Sequence, residues 1–190
     1  MKKWLFNPFV YIAGARALLT GAGIMAVTAV VAYFSLTHFD GVLDAHLGDK
    51  ASIGLCFIEQ LTNLACQAVF FFIAGKMFSQ SAIRFIDVAG TMALSRWPML
   101  LFAFVGFLYA GVDMSNADPM YTLNQHPILI GVTSIIGLVL VIWMVALMYN
   151  AFTVSCNLKG GKATGAFIGA IIVAEVVAHL FIHSIYKHFT

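Results

Sequence analysis

Four long runs in this chain carry almost no charge, and that fact limits what it can fold into more than any other. Residues 17–39 hold no charged side chain, and 128–152 are apolar throughout. Residues 52–75 hold only Glu59 as a carboxylate, and 165–186 hold Glu175, His179 and His183. A helix needs roughly 20 apolar residues to cross about 30 Å of hydrocarbon, so each run is long enough. Charged residues make up 9% of the chain and hydrophobic ones 62%. A soluble domain carries about 25% charge, because a small globule cannot hide most of its residues from water. The deficit predicts a bilayer as solvent.

A fifth span is less regular. Residues 98–112 are free of charge but number only 15, or roughly 22 Å at the helical rise. Extending the run back to Val88 reaches full length and takes in Arg96 and Pro98. Proline pushes the residue before it out of the helical region, so Trp97 predicts a kink. Upstream, Arg84, Asp87, Thr91 and Ser95 fall on one narrow helical stripe. That pattern predicts an oblique helix over 83–96 at the membrane interface, with Arg96 snorkelling to the phosphates. Residues 1–14, with Trp4, Phe6, Phe9 and Tyr11 among Lys2, Lys3 and Arg16, predict a second interfacial segment.

The expected fold is therefore an all-α polytopic transmembrane helix bundle. It is a single membrane domain over 1–190, with spans near 17–39, 52–75, 88–112 (kinked near Trp97-Pro98), 128–152 and 165–186. The apolar run at 17–39 is too long for a signal-peptide core and is read as a retained helix. Alternate connections sort eight basic residues to one side and two to the other. Basic residues accumulate on the cytoplasmic side, so the N-terminus is expected inside and the C-terminus outside. The connections at 40–51 and 113–127 are too short to fold alone. Asp118-Pro119 and His126-Pro127 read as loop breakers.

Net charge is only +2, which argues against a nucleic-acid partner. Cys56, Cys66 and Cys156 are odd in number and read as small buried hydrophobes, not a disulfide framework. No phosphate-binding loop, nucleophile triad or haem motif occurs, so no catalytic residue, enzyme activity or cofactor is expected.

Two polar clusters fall inside spans. Glu175, His179 and His183 are spaced by four and share one helix face. A carboxylate in hydrocarbon is costly and has to face protein or water. Glu and His together also suit a proton relay or a divalent transition metal, which makes Glu175, His179 and His183 weak metal candidates. Glu59 and Asn63 are i, i+4 neighbours beside Gln60 and read as interhelical hydrogen-bond partners or as part of an ion path. If Glu59 and Glu175 converge, they share a proton. The last helix also carries a ladder of small residues: Gly161, Gly165 and Gly169, with Ala166, Ala170, Ala174 and Ala178. Small side chains let helices approach closely in lipid, either within the bundle or between copies. The lipid bilayer is the expected partner, with a homo-oligomer or another membrane protein left open.

The arrangement resembles the Yip1 domain family in its short bacterial form. The residues that carry the likeness are Asn7-Pro8 in the basic aromatic start, Gly75-Lys76, Ile83-Arg84-Phe85-Ile86-Asp87-Val88-Ala89-Gly90 and Ala93-Leu94-Ser95-Arg96-Trp97-Pro98. The stretch from Trp143 to Phe152, Lys162-Ala163 and Ala174-Glu175 complete it. The resemblance implies five helices, a cytoplasmic N-terminus, a place in the inner membrane and no catalysis. Relatives in eukaryotes are linked to vesicle trafficking, small GTPases and membrane shape, and they carry a longer cytosolic region that is not seen in this chain. The expected role is that of a membrane organiser, scaffold or adaptor. The alternative is a transporter or ion-handling protein using Glu59, Glu175, His179 and His183 together.

Overall fold

The computed structural model describes residues 2–48, 51–112 and 124–189, with backbone alone for Lys2, His188 and Phe189. Asp49, Lys50, Asp113 and the Asp118-Pro119 breaker lie outside the described residues, as does the His188 side chain.

Among the described residues the chain is all-α apart from one short hairpin. A five-residue helix α1 (Lys2–Phe6) and a 3-10 turn (Pro8–Val10) lead into α2 (Gly14–Ser35). Two-residue strands β1 (Thr37–His38) and β2 (His46–Leu47) pair antiparallel, His38 opposite His46. Then come α3 (Ile53–Phe78), α4 (Phe85–Ser95), α5 (Pro98–Gly106), α6 (Pro127–Cys156) and α7 (Gly160–Phe189). Five helical segments are long and apolar enough to cross a membrane: Gly14–Ser35, Ile53–Phe78, Phe85–Tyr109, Pro127–Cys156 and Gly160–Lys187. The third is interrupted at Arg96-Trp97, the expected place. Trp97 keeps helical dihedrals (φ −54°, ψ −27°), so the proline interrupts the helix without pushing the residue before it out of the helical region. Pro98 opens α5, where its missing amide costs nothing.

The first span ends earlier than expected. Leu36 takes a left-handed conformation, φ 54°, and stops α2 at Ser35. A branched side chain at positive φ is strained by about 1–2 kcal/mol. The residues after it are therefore free of the helix and fold as a loop over 36–48. The Gly48 amide donates to the Leu36 carbonyl at 2.9 Å and closes that loop at its base.

The tightest helix pair is α2 against α4. A Cβ on Gly21 would sit 2.5 Å from the backbone of Ala93 and Leu94. A Cβ on Gly90 would sit 2.4 Å from the Gly14 carbonyl. These contacts run in register, Gly14 with Gly90 and Gly21 with Ala93, so spans one and three point the same way. That is what alternate crossing requires. It also corrects the expectation for 83–96. All eight residues from Val88 to Ser95 are buried, so α4 is part of the bundle and not an oblique surface helix. Thr91 and Ser95 turn their hydroxyls back onto their own helix, donating to the Asp87 and Met92 carbonyls at 2.8 and 2.7 Å. Only the start of α4 keeps a polar surface pair, where Arg84 grips Asp87 with two bonds of 2.8 and 2.9 Å.

The glycine ladder on the last helix needs correction too. Nothing lies within 4 Å of a Cβ placed on Gly165 or Gly169. The alanines Ala166, Ala170, Ala174 and Ala178 are the buried ones, and they pack α7 chiefly against α3. Glycine appears on the open face, so its small size is not used for contact within this chain. Between α3, α6 and α7 the core is aromatic. Phe71 meets Phe152 and Phe167 at centroid distances of 5.3 and 5.4 Å.

The N-terminal segment lies along α6. Trp143 Nε1 donates to the Leu5 carbonyl at 2.9 Å, and Asn150 Nδ2 donates to the Phe6 carbonyl at 2.8 Å. These carbonyls end α1 and have no partner inside the helix. Trp4, Leu5, Phe6, Val10 and Tyr11 face outward, whereas Phe9 is buried in the core.

Candidate functional site

Glu59 and Asn63 of α3, Arg96, and Glu175 of α7 converge on the 36–48 loop. Asn63 and Glu59 stand one turn apart on α3 and hold both polar groups of one residue. The Phe39 amide donates to Glu59 Oε2 at 2.9 Å, and Asn63 Nδ2 donates to the Phe39 carbonyl at 2.6 Å. The Phe39 ring is fully buried and meets Phe102 at 6.4 Å.

The second carboxylate oxygen of Glu59 is also occupied. Tyr186, near the end of α7, donates its hydroxyl to Oε1. His38 Nδ1 lies 3.0 Å from the same oxygen and 2.7 Å from the Tyr186 hydroxyl. Because the Tyr186 hydroxyl donates its hydrogen bond to Glu59, the network assigns the proton of His38 to Nδ1. Glu59 is thus an acceptor for three donors, the arrangement that makes a carboxylate with no solvent exposure tolerable.

Glu175 works in the same way on α7. The Leu43 amide donates to its Oε2 at 2.8 Å, and the Val42 amide points at the same carboxylate. The loop can come this close because residue 41 is glycine. A Cβ there would lie 2.3 Å from Glu175 Oε1. Arg96 completes the set, its Nη1 donating to the Val42 carbonyl at 3.1 Å. Arg96 is 1% exposed, which overturns the expectation that it snorkels to phosphates. Its place explains why: it follows Phe85 by 11 residues in a 25-residue span, about 16 Å along the helix axis. A carbonyl folded back into the bundle is the nearest polar partner. Loop 36–48 therefore folds back onto the bundle, held by Glu59, Asn63, Arg96 and Glu175 from three different spans.

The two glutamates hold different parts of this loop, Phe39 and Leu43, so they act on one element without pairing with each other. His179 and His183 are not buried with them. Both are exposed on α7, stacked at 6.2 Å with rings 4° from parallel. His179 Nδ1 stands 4.0 Å from Asp40 Oδ2. On the other side of Asp40, His46 Nδ1 stands 3.0 Å from Oδ1. This pair shifts both groups. The His46 bond holds the Asp40 carboxyl below its usual range, and the Asp40 bond holds the His46 imidazole above its own. Asp44 joins them, so that Asp40, Asp44 and His46 offer ligand atoms all within 4.8 Å of one another.

Sequence reading missed this loop cluster. The signal was present, because His38, Asp40, Asp44 and His46 fall within nine residues. Spacing alone does not say that the loop folds back on itself and brings the ends of that stretch together.

Some buried polar atoms have no partner among the described residues. Among them are both side-chain atoms of Gln60, Gln67 Oε1, Asn63 Oδ1, and Arg96 Nε and Nη2. Gln60, Asn63 and Gln67 lie at i, i+3 and i+7, one face of α3 running about 10 Å. Compared with known protein families, with curated proteins and with solved structures, the chain matches none.

Proposed function

We propose that this multi-pass membrane protein is a non-catalytic adaptor or scaffold whose recognition element is the 36–48 loop. One observation carries the reading: three buried polar side chains, Glu59, Asn63 and Arg96, and the half-buried Glu175, from three spans, all end on the backbone of that loop. Burying charge in a bilayer is expensive, and here it yields a fixed loop shape. A fixed shape is what recognition needs, because the ordering cost is met before a partner arrives. The loop is anchored as a rigid body, and its exposed groups, Asp44 and His46, project from the end of the bundle where α2 stops and α3 begins.

The likeness to the Yip1 domain family supports an organising role in a bacterial inner membrane with the N-terminus in the cytoplasm. With Arg96 withdrawn into the bundle, seven basic residues remain on the N-terminal side against two on the other, so the charge bias persists. The outward aromatics of the N-terminal segment suit insertion at headgroup level. In this orientation the loop faces the periplasm.

Photo-crosslinking in cells tests the proposal. A photoreactive residue at Ala45 in the loop gives a discrete protein adduct, whereas one at Leu180 on the exposed face of α7 gives lipid adducts. Lipid adducts or none from Ala45, in cells where the protein is present at its natural level, remove the adaptor reading.

The stripe of Gln60, Asn63 and Gln67, with Gln60 wholly unpartnered among the described residues and one amide oxygen free on each of the other two, favours a second reading, a hydrated path for protons or small ions. Polar atoms without protein partners inside a bilayer hold water or cost several kcal/mol each. Proton flux into proteoliposomes that drops in Gln67→Leu would support it, and no flux above empty liposomes would end it.

A further inference from the structure

The geometry points to a divalent transition-metal site formed by Asp40, Asp44 and His46 of the loop, with His179 of α7 as the fourth donor. This goes beyond the adaptor reading and stands whether or not a partner binds the loop. Two independent features meet there. The first is a mixed donor set, two carboxylates and an imidazole, with ligand atoms all within 4.8 Å. The second is His179, which comes from a separate element and stands 4.0 Å from the Asp40 oxygen not used by His46. Asp40 is thus flanked by one imidazole on each oxygen.

The chemistry selects the ion. Two oxygens and two imidazole nitrogens match a borderline divalent cation such as Zn²⁺, whereas Ca²⁺ and Mg²⁺ favour oxygen alone. Ligands at about 2.1 Å from a tetrahedral ion stand about 3.4 Å apart. The three loop donors, within 4.8 Å of one another, close by at most about 1.4 Å to reach that spacing, and His179 swings in from its place 4.0 Å from Asp40. Asp44, His46 and His179 are exposed enough to rotate. The frame beneath them does not have to move, since Glu175 and Arg96 already hold Leu43 and Val42. Among the described residues no lysine or arginine pairs with Asp40 or Asp44; the ion-pair partners of Asp40 are the imidazoles of His46 and His179, so a cation that displaces the imidazole protons meets two carboxylates. This set differs from the one that spacing on α7 suggests. Glu175 is turned toward the loop amides, and His183 is a ring stacked behind His179.

The test uses the purified full chain in detergent, stripped with chelator, with Zn²⁺ titrated by calorimetry and Co²⁺ by visible absorption. The expected result is one saturable site, with the intense absorption of a four-coordinate Co²⁺ ion. Asp44 is exposed and Asp44→Asn is isosteric, so it keeps the fold and should weaken Zn²⁺ by about 100-fold. His179→Ala should weaken it by about 10-fold. Asp87→Asn, at the opposite end of the bundle, should bind as the parent does. No saturable binding in the parent overturns the proposal. So does unchanged affinity in Asp44→Asn, or a loss in His183→Ala that exceeds the loss in Asp44→Asn, which would return the site to the α7 face.

Discussion

Gly21→Ala and Gly169→Ala make the same chemical change and should have opposite consequences. At Gly21 the new methyl would lie 2.5 Å from two backbone atoms of α4 and 2.7 Å from the Ala93 Cβ. Ordinary contact begins at 3.4 Å, so the shortfall is about 0.9 Å. Backbone cannot rotate away as a side-chain tip can, and α4 has to retreat as a unit along the tightest interface in the bundle. Overpacking of this kind costs about 1–3 kcal/mol, and the rigid neighbour places Gly21→Ala toward the upper end. The gain in helix propensity from glycine to alanine is at most about 1 kcal/mol, and less when the unfolded state stays helical in lipid. The net expectation for Gly21→Ala is a loss of about 2 kcal/mol. At Gly169 nothing lies within 4 Å, so only the propensity term acts and the change is between zero and about 1 kcal/mol of stabilisation. Equilibrium unfolding in mixed detergent and SDS, followed by tryptophan fluorescence, separates the two. If Gly21→Ala matches the parent, or Gly169→Ala is the more destabilised, the assignment of close packing to α2 and α4 is wrong.

Three further outcomes rest on single contacts. Asn63→Ala leaves the Phe39 carbonyl buried without its donor, for an expected loss of about 1–3 kcal/mol and faster proteolysis within the 36–48 loop. Tyr186→Phe removes a donor to Glu59, for an expected loss of about 1.5–3 kcal/mol, and the same unfolding assay reads it. Equal stability of that variant would mean that His38 and the Phe39 amide satisfy the carboxylate without the tyrosine. Trp143→Phe keeps the apolar ring but releases the Leu5 carbonyl. The expected cost is only about 0.5–1.5 kcal/mol, with increased labelling of Lys3 by an amine reagent as the specific sign.

Much of the architecture was legible because a bilayer imposes a one-dimensional constraint. A charge-free run of sufficient length has to become a helix, since its backbone groups find no water to bond. Length and proline position therefore located five spans and the break at Trp97-Pro98. Depth and facing were less legible. Arg96 and Thr91 read as interfacial because their side chains are polar, and the alternative, a loop folding back to meet Arg96, involves residues 54 positions away. The glycines of the last helix stand out by their regular spacing, yet the glycines in close contact are irregularly placed and lie on two helices that are distant in the chain.

By itself the sequence determined that the chain is all-α, that lipid is its solvent and that Glu59 and Glu175 need partners, because each of these follows from local composition and the cost of an unsatisfied group in hydrocarbon. Only the tertiary structure decided what those partners are. Leu36 ends the first helix, Gly41 admits a carboxylate within contact of the backbone, and side chains from α3, the Arg96 junction and α7 meet over residues 38–43. Contacts across such separations depend on how helices pack in three dimensions, and no periodicity along a single helix encodes them.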